Sequence, residues 1–310
     1  MRIVVTGANG FIGRPLVNGL TRLGHDVVAF DRAIEPCAGV DAVIGDIGDP
    51  AALRHAFAGG CDAVVHLATI PGGAAEADPA GARRVNLEAT MALSEAAATA
   101  GRRPRFVFAS SIAVLGSALP PIVDDDTPLR PRLIYGAHKA MIEQWLATLS
   151  RRQALDALSL RLPGIVARPP APSGMKSAFM SDVFHALRGH RAFTSPVAAD
   201  ATLWLMSVDA VVAAITHALT LDMVLPEDRA VTLPALRLRM DELVTTIARH
   251  AGTDPALVDY APDQELQASF GAYPPLIAAR GEALGFRPDG SPDALVAAAL
   301  DTIAKQEISG

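Results

Sequence analysis

Short apolar runs recur through the first half of the chain as "RIVVTG", "DVVAFD", "DAVIGD", "DAVVHLA", "RFVFASS" and "ALSLRLP". Continuous β-branched runs of this length, without polar alternation, read as strands buried on both faces. Between them the period changes to that of amphipathic helices: Phe11 to Leu23 before Gly24, Pro50 to Phe57, Pro79 to Ala100 before Gly101, and Tyr135 to Arg151. Strand and helix in strict alternation predict an α/β fold with a doubly wound parallel sheet.

The pattern changes at the proline-rich run "PGIVARPPAPSG", which can continue neither strand nor helix. It predicts an exit from the sheet domain, residues 1–168, with 202–235 returning to it. Residues 169–201 and 236–310 are then left to a smaller C-terminal part, with helices in "RMDELVTTIARHAG", "YPPLIAARGEALGF" and "PDALVAAALDTIAKQ". The most membrane-like window, Ala201 to Leu219, is broken by Ser207, Asp209 and His217, so no membrane segment is predicted.

Composition narrows the classes further. The chain has 310 residues, 50% hydrophobic and 19% charged, enough core to fold without metal or disulfide support. A formal charge of -6 and the lack of a Lys/Arg cluster argue against a nucleic-acid or anionic-membrane surface. The two cysteines, Cys37 and Cys61, lack metal-ligand spacing and read as buried thiols of a reducing compartment. The first residues enter a strand directly without a signal-like segment, and the expected location is cytoplasmic. His138 is expected on an exposed helix face and the Asp124 to Asp126 run in a solvated loop, with no metal.

Candidate chemistry begins at "TGANGFIG", residues 6–13, which joins the first strand to the first helix. Gly7, Asn9, Gly10, Phe11, Ile12 and Gly13 form a turn whose amides and helix N-terminus suit a pyrophosphate. The alternative is a structural glycine turn. Asp31 ends the second strand where a carboxylate accepts from ribose hydroxyls and repels a 2′-phosphate, which selects NAD; Arg32 beside it could take that phosphate, and a turn-capping role for Asp31 is the plainer reading. Asp46, Ile47, Leu67 and Ala68 are candidates around the cofactor, with strand-end packing as the alternative for each.

Two serines, Ser110 and Ser111, end the fifth strand, and "YGAHK" puts Tyr135 and Lys139 one turn apart at the head of the next helix. A phenol ionises near pH 10, so Tyr135 becomes a useful base only with a cation beside it, and Lys139 can be that cation. The order of glycine turn, Asp31, strand-end serines and Tyr-x-x-x-Lys, with "VNLEAT", "RLPGIV" and "EALGFRPD", resembles the extended short-chain dehydrogenase/reductase family, also called the NAD-dependent epimerase/dehydratase family.

That resemblance covers the whole chain and implies NAD as cofactor and a Ser111, Tyr135, Lys139 catalytic set. It adds Asn86, Leu162, Gly164 and Ile165 to the cofactor surroundings, Asn86 being either an organiser of backbone or an ordinary helix-lining amide. The best-matching members imply a small anionic carbohydrate, a short sugar acid oxidised at its C2 hydroxyl. Thr69, Ser111, Tyr135, Arg168, Ser173 and Lys176 are its candidate contacts. Arg168 is favoured for the carboxylate, against a structural arginine at the domain junction. Trp204 is either a core anchor or a wall of that pocket. A homodimer is common for such folds, although no interface is legible. A nucleotide-sugar epimerase keeps the same machinery, whereas a dehydratase would need Asp-Glu where Ile112 and Ala113 stand. A non-catalytic NAD-binding module would be expected to lack the tyrosine or the lysine, and both are present.

Overall fold

The computed structural model describes residues 1–35, 38–170 and 176–309. Seven strands form one parallel sheet in the order Ala230–Thr232, Asp156–Leu162, Arg105–Ser111, Ala63–His66, Arg2–Thr6, Asp26–Asp31, Val40–Ile44. Strand order reverses beside Arg2–Thr6, which pairs with Asp26–Asp31 on one side and Ala63–His66 on the other. At such a reversal the flanking connections leave on opposite faces and open a crevice at the carboxyl ends of the strands. Ile3, Val4, Val5, Val64 and Val65 are fully buried, as expected of strands covered on both faces.

The chain divides into two units. One comprises Met1–Gly116, Leu129–Arg161 and Val212–Thr232; the other takes Ser117–Pro128, Leu162–Val211 and the chain from Leu233 on. These bounds differ from the expected 1–168 with a return at 202–235, and the pairing of short strands explains why. Thr202–Ser207 does not rejoin the large sheet: it lies between Leu236–Arg239 and Gly164–Val166 in a separate three-stranded sheet. Leu162, Gly164 and Ile165 therefore fall in the second unit, where Gly164 pairs with Leu205. Residues 117–128 join it as well, because Val123–Asp124 pairs with Leu276–Ile277.

The second unit has its own core, in which Val183, Phe184 and Leu187 of helix Phe179–Arg188 meet Leu243 and Ile247 of Met240–Ala251 and Leu295 and Ala299 of Pro292–Ser309. Trp204 belongs to the interior of this unit rather than to a pocket wall: it is 0% exposed, stacks on Tyr273 at 4.7 Å and donates Nε1–H to Pro274 O at 2.8 Å. The stretch "YPPLIAARGEALGF" is not a continuous helix. The prolines halt it, Leu276–Ile277 pairs as a strand, and only Ala279–Ala283 is helical. Asp125 and Asp126 are solvated as expected, and Arg280 tethers both, its N–H donating to Asp125 and its guanidinium to Asp126.

Among the described residues no helix is long and apolar enough to cross a membrane, and no group of three or more acidic, His or Cys side chains could hold a metal ion. Cys61 is buried; Cys37 lies outside the described residues.

Candidate active site

The glycine turn is built for close approach. Gly7 has φ +68°, accepts Gly10 N–H at 3.0 Å and donates to Phe30 O at 3.0 Å. A Cβ on Gly13 would lie 2.1 Å from Gly7 O and 2.7 Å from Ala8 O, so helix Gly13–Arg22 can begin against the turn only without a side chain there. Asp31 closes the cradle from the neighbouring strand, its carboxylate accepting Asn9 N–H at 3.0 Å and Arg32 N–H at 2.7 Å. Asn9 Oδ1 accepts the amide of Glu35 at 3.5 Å, Glu35 pairs with Arg14, and Arg32 is exposed. Asp46 caps its own turn through Gly48 N–H at 2.7 Å, and Ile47 packs into the core.

Leu67 and Ala68 follow the strand Ala63–His66, and Ala68 N and Leu67 C would lie 2.7 and 2.9 Å from a Cβ on Gly7, so the two strand-end loops touch. His66 holds them. Ala68 N–H donates to Thr6 Oγ1 at 3.4 Å, and the Thr6 hydroxyl is hydrogen-bonded to His66 Nδ1 at 2.6 Å. His66 Nε2–H then donates to Thr90 Oγ1 at 2.8 Å, whose hydroxyl donates to Val85 O at 3.4 Å. With Nε2 as the donor, a neutral imidazole makes Nδ1 the acceptor of the Thr6 hydroxyl. Complete burial supplies the reason, lowering the His66 pKa to about 3, with the Lys139 charge adding to the effect.

The expected long helix from Pro79 to Ala100 is interrupted by a π-helical turn, Arg84–Ala89. Such wide turns recur at functional sites. Here it aims Asn86 at the loop after Ala63–His66: Nδ2–H donates to Ile70 O at 2.9 Å, while Oδ1 accepts Ile70 N–H at 2.8 Å and Thr69 Oγ1–H at 3.1 Å. Asn86 thus organises backbone, and Thr69 is brought beside it.

Ser111 and the Tyr135/Lys139 pair are carried by adjacent elements of the same unit, the strand Arg105–Ser111 and the helix Ile134–Arg151. Ser110 points inward, is 2% exposed and donates to Glu143. Ser111 is half-buried and accepts Ala113 N–H at 3.1 Å, which leaves its hydroxyl hydrogen for another acceptor. Lys139 is 3% exposed; its Nζ donates to Ala109 O at 2.7 Å and lies 4.5 Å from the Phe108 ring centroid and 5.5 Å from that of Tyr135. Burial lowers the Lys139 pKa to about 7, and the Glu143 carboxylate opposes the fall.

Other expected residues are placed differently. His138 is buried, not exposed, and its Nδ1 has no hydrogen-bond partner. Lys176 forms an exposed ion pair with Glu265, so its charge is already met. Arg168 lies in the second unit, its backbone N–H on Ser181 Oγ at 3.0 Å and its carbonyl on His185 Nε2 at 2.8 Å; Ser173 lies outside the described residues. Sequence reasoning missed Glu143 and Arg161. The signals were an acid four residues beyond Lys139 and an arginine inside the apolar run "LSLRLP".

The sequence pattern of the NAD dependent epimerase/dehydratase family matches residues 3–230. The chain belongs to that family. D-erythronate dehydrogenase of Cupriavidus necator is 37% identical to it over 318 residues, covering 97% of this chain and 98% of its own. A D-erythronate dehydrogenase of Haemophilus influenzae is 31% identical over 263 residues, with 81% and 83% covered. Among solved structures, the nucleoside-diphosphate-sugar epimerase of Agrobacterium tumefaciens superposes with a TM-score of 0.88 at 29% identity, over 100% of this chain and 95% of that one. The holo form of an L-threonine dehydrogenase from Cupriavidus necator, at 21% identity and a TM-score of 0.86 over 98% of this chain and 100% of that one, shares the fold. This epimerase/dehydratase-family member is an NAD-dependent oxidoreductase, and the cradle fits its cofactor: Gly7 and Gly13 keep the turn free of side chains, and the Asp31 carboxylate stands at the end of the second strand.

Proposed function

We propose that this oxidoreductase oxidises the C2 hydroxyl of a short D-aldonate, D-erythronate first among them, to the 2-keto acid. The observation that carries the reading is the likeness to two D-erythronate dehydrogenases, over 97% of this chain for one and 81% for the other, in a chain whose buried Lys139 Nζ lies 5.5 Å from the Tyr135 ring centroid. Ser111 donates its hydroxyl hydrogen to the substrate C2 oxygen and orients the carbinol. Tyr135, as phenolate, takes the hydroxyl proton, and the Lys139 ammonium makes that phenolate accessible near neutral pH. When bound, NAD supplies the acceptor for the hydride lost from C2. Gly7, Asn9, Gly10, Phe11, Ile12 and Gly13 hold its pyrophosphate, Asp31 its ribose, and Asn86 keeps the loop at Thr69 and Ile70 in place.

The substrate carboxylate needs a cation, and Arg168 is the residue proposed for it, because a guanidinium can take a carboxylate with two parallel hydrogen bonds. A nucleotide-sugar epimerase is the second reading, favoured by the solved epimerase at 29% identity. A panel of four- to six-carbon aldonates and uronates, with nucleotide sugars, offered with NAD separates the two. Net NADH from an aldonate, lost by about 10²-fold or more in Tyr135→Phe while NAD still binds, is the expected result. Turnover of a nucleotide sugar without net NADH would reject the substrate, and full activity of Tyr135→Phe would reject the base.

A further inference from the structure

Glu143 has no part in the steps above, yet it is 1% exposed and sits one helical turn beyond Lys139. A carboxylate is not buried without partners that hold it. Arg161 grips it with Nε 3.0 Å from Oε1 and Nη2 2.8 Å from Oε2, and Ser110 Oγ donates to the same Oε1. Ser110 directly precedes Ser111, and the carbonyl before it, Ala109 O, receives Lys139 Nζ. The end of the strand is therefore fastened to the helix twice, once through each charged side chain.

We propose that Glu143 is a positioning residue for the reaction: it sets a negative charge behind Lys139 so that the amine remains an ammonium beside Tyr135, and through Ser110 it fixes the strand end that carries Ser111. The inference rests on the roles given to Ser111, Tyr135 and Lys139 above and adds the group that sustains them. The surroundings of Lys139 offer no substitute. On its own helix stand Tyr135, Glu143 and the buried His138, whose pKa burial lowers, and on the strand Ala63–His66 the neutral His66. Arg161, on Asp156–Leu162, directs its charge at Glu143. Glu76, on Gly72–Ala77, is exposed and occupied by Ile134 N–H. Arg83, Arg84, Glu88 and Glu95 are exposed, Arg105 is paired with Asp156 at the start of its strand, and Ile112–Leu115 carries no titratable group. Burial alone drives Lys139 toward the neutral amine.

The chain suits a direct test because it contains three tyrosines, and burial raises the pKa of both Tyr260 and Tyr273, that of Tyr273 far above the usual phenol value. In an ultraviolet titration of the whole enzyme the first phenolate to appear belongs to Tyr135, as its loss in Tyr135→Phe verifies. Glu143→Gln keeps the shape and one acceptor oxygen for Ser110 and Arg161 Nε, but removes the charge and the second oxygen that receives Arg161 Nη2. The expected result is a Tyr135 onset moved up by about one pH unit or more. The pH profile of kcat moves with it, kcat near neutrality falls about tenfold and the KM for NAD stays put. Ser110→Ala is expected to lower kcat at every pH and leave the onset in place. An unmoved onset in Glu143→Gln, with any loss of rate uniform in pH, overturns the proposal by reducing Glu143 to a structural ion pair. Should Glu143→Gln fail to fold, Glu143→Asp decides: the charge is kept, so kcat drops with the onset near that of the wild type, and a shifted onset overturns the charge argument. Because the titration needs no substrate, failure of every aldonate would refute the substrate and still leave Glu143 tested.

Discussion

Gly13→Ala puts the geometry of the cofactor cradle to a quantitative test. The new methyl would lie 2.1 Å from Gly7 O, 2.7 Å from Ala8 O and 2.8 Å from Ala8 C, all rigid backbone. Non-bonded heavy atoms reach their optimum near about 3.5 Å, so the helix start and the turn must separate by roughly 1 Å. Overpacking of that kind costs about 1–3 kcal/mol of stability. It costs more in recognition, because Gly7 O also receives Gly10 N–H at 3.0 Å, and a turn that opens loses the array of amides it presents. A weakening of NAD binding by about 100-fold is expected, the scale on which a displacement of about 1 Å is felt. At an NAD concentration of about 100 Kd for the wild type, ligand stabilisation then shrinks from about 2.7 to about 0.4 kcal/mol. Thermal unfolding with and without NAD, with titration calorimetry for Kd, measures both numbers. Gly24→Ala is the control: φ is +78°, but nothing lies within 4 Å of the added carbon, so strain lowers stability by about 1 kcal/mol and the NAD increment survives. If Gly13→Ala kept the full increment, or both variants lost it equally, the close approach at Gly13 would not be what builds the site.

Asp31→Ala is expected to raise the KM for NAD and to lower the NAD-to-NADP ratio of catalytic efficiencies, because the ribose acceptor and the repulsion of a 2′-phosphate go together while Arg32 remains. It also strands Asn9 N–H and Arg32 N–H, at about 1–3 kcal/mol, so a variant with normal stability and an unchanged cofactor ratio would contradict the assignment. His66→Gln tests the buried relay by pH. The folded-state pKa of His66 is lowered to about 3 from 6.5, so the unfolded chain binds one more proton as pH falls through that window and the wild type loses about 1.4 kcal/mol per pH unit between them. Urea unfolding across that range is expected to show this slope in the wild type and one proton less in the variant; parallel curves would mean that His66 is not held neutral.

Much of the fold was legible because strands covered on both faces cannot disguise themselves: Ile3 to Val5 in "RIVVTG" and Ala63 to Val65 in "DAVVHLA" run apolar without polar alternation. What was not legible turns on partners distant in sequence. "TLWLMS" reads as a sheet strand in either unit, and only the pairing of Leu205 with Gly164 and Leu236 decides which. The π-turn at Arg84–Ala89 escapes a periodicity argument as well, since one extra residue per turn over six residues leaves the apolar stripe nearly intact. His138 was misread because its neighbours on the helix could be counted but the elements packed over it could not.

The site was legible where the chemistry is carried by residue type at strand ends and helix starts, and opaque where it is carried by burial. Tyr135 and Lys139 announce themselves by spacing, but spacing does not say that Lys139 is 3% exposed and short of solvent. That single fact changes the demand on the sequence: an exposed ammonium needs no counter-ion, whereas a buried one loses its proton unless a carboxylate is held near it. The chain meets the demand with Glu143 one turn on, and a buried carboxylate in turn requires Arg161, an arginine that no apolar strand would otherwise keep. The odd residue in "LSLRLP" thus follows from the buried lysine of the preceding helix, one partner removed.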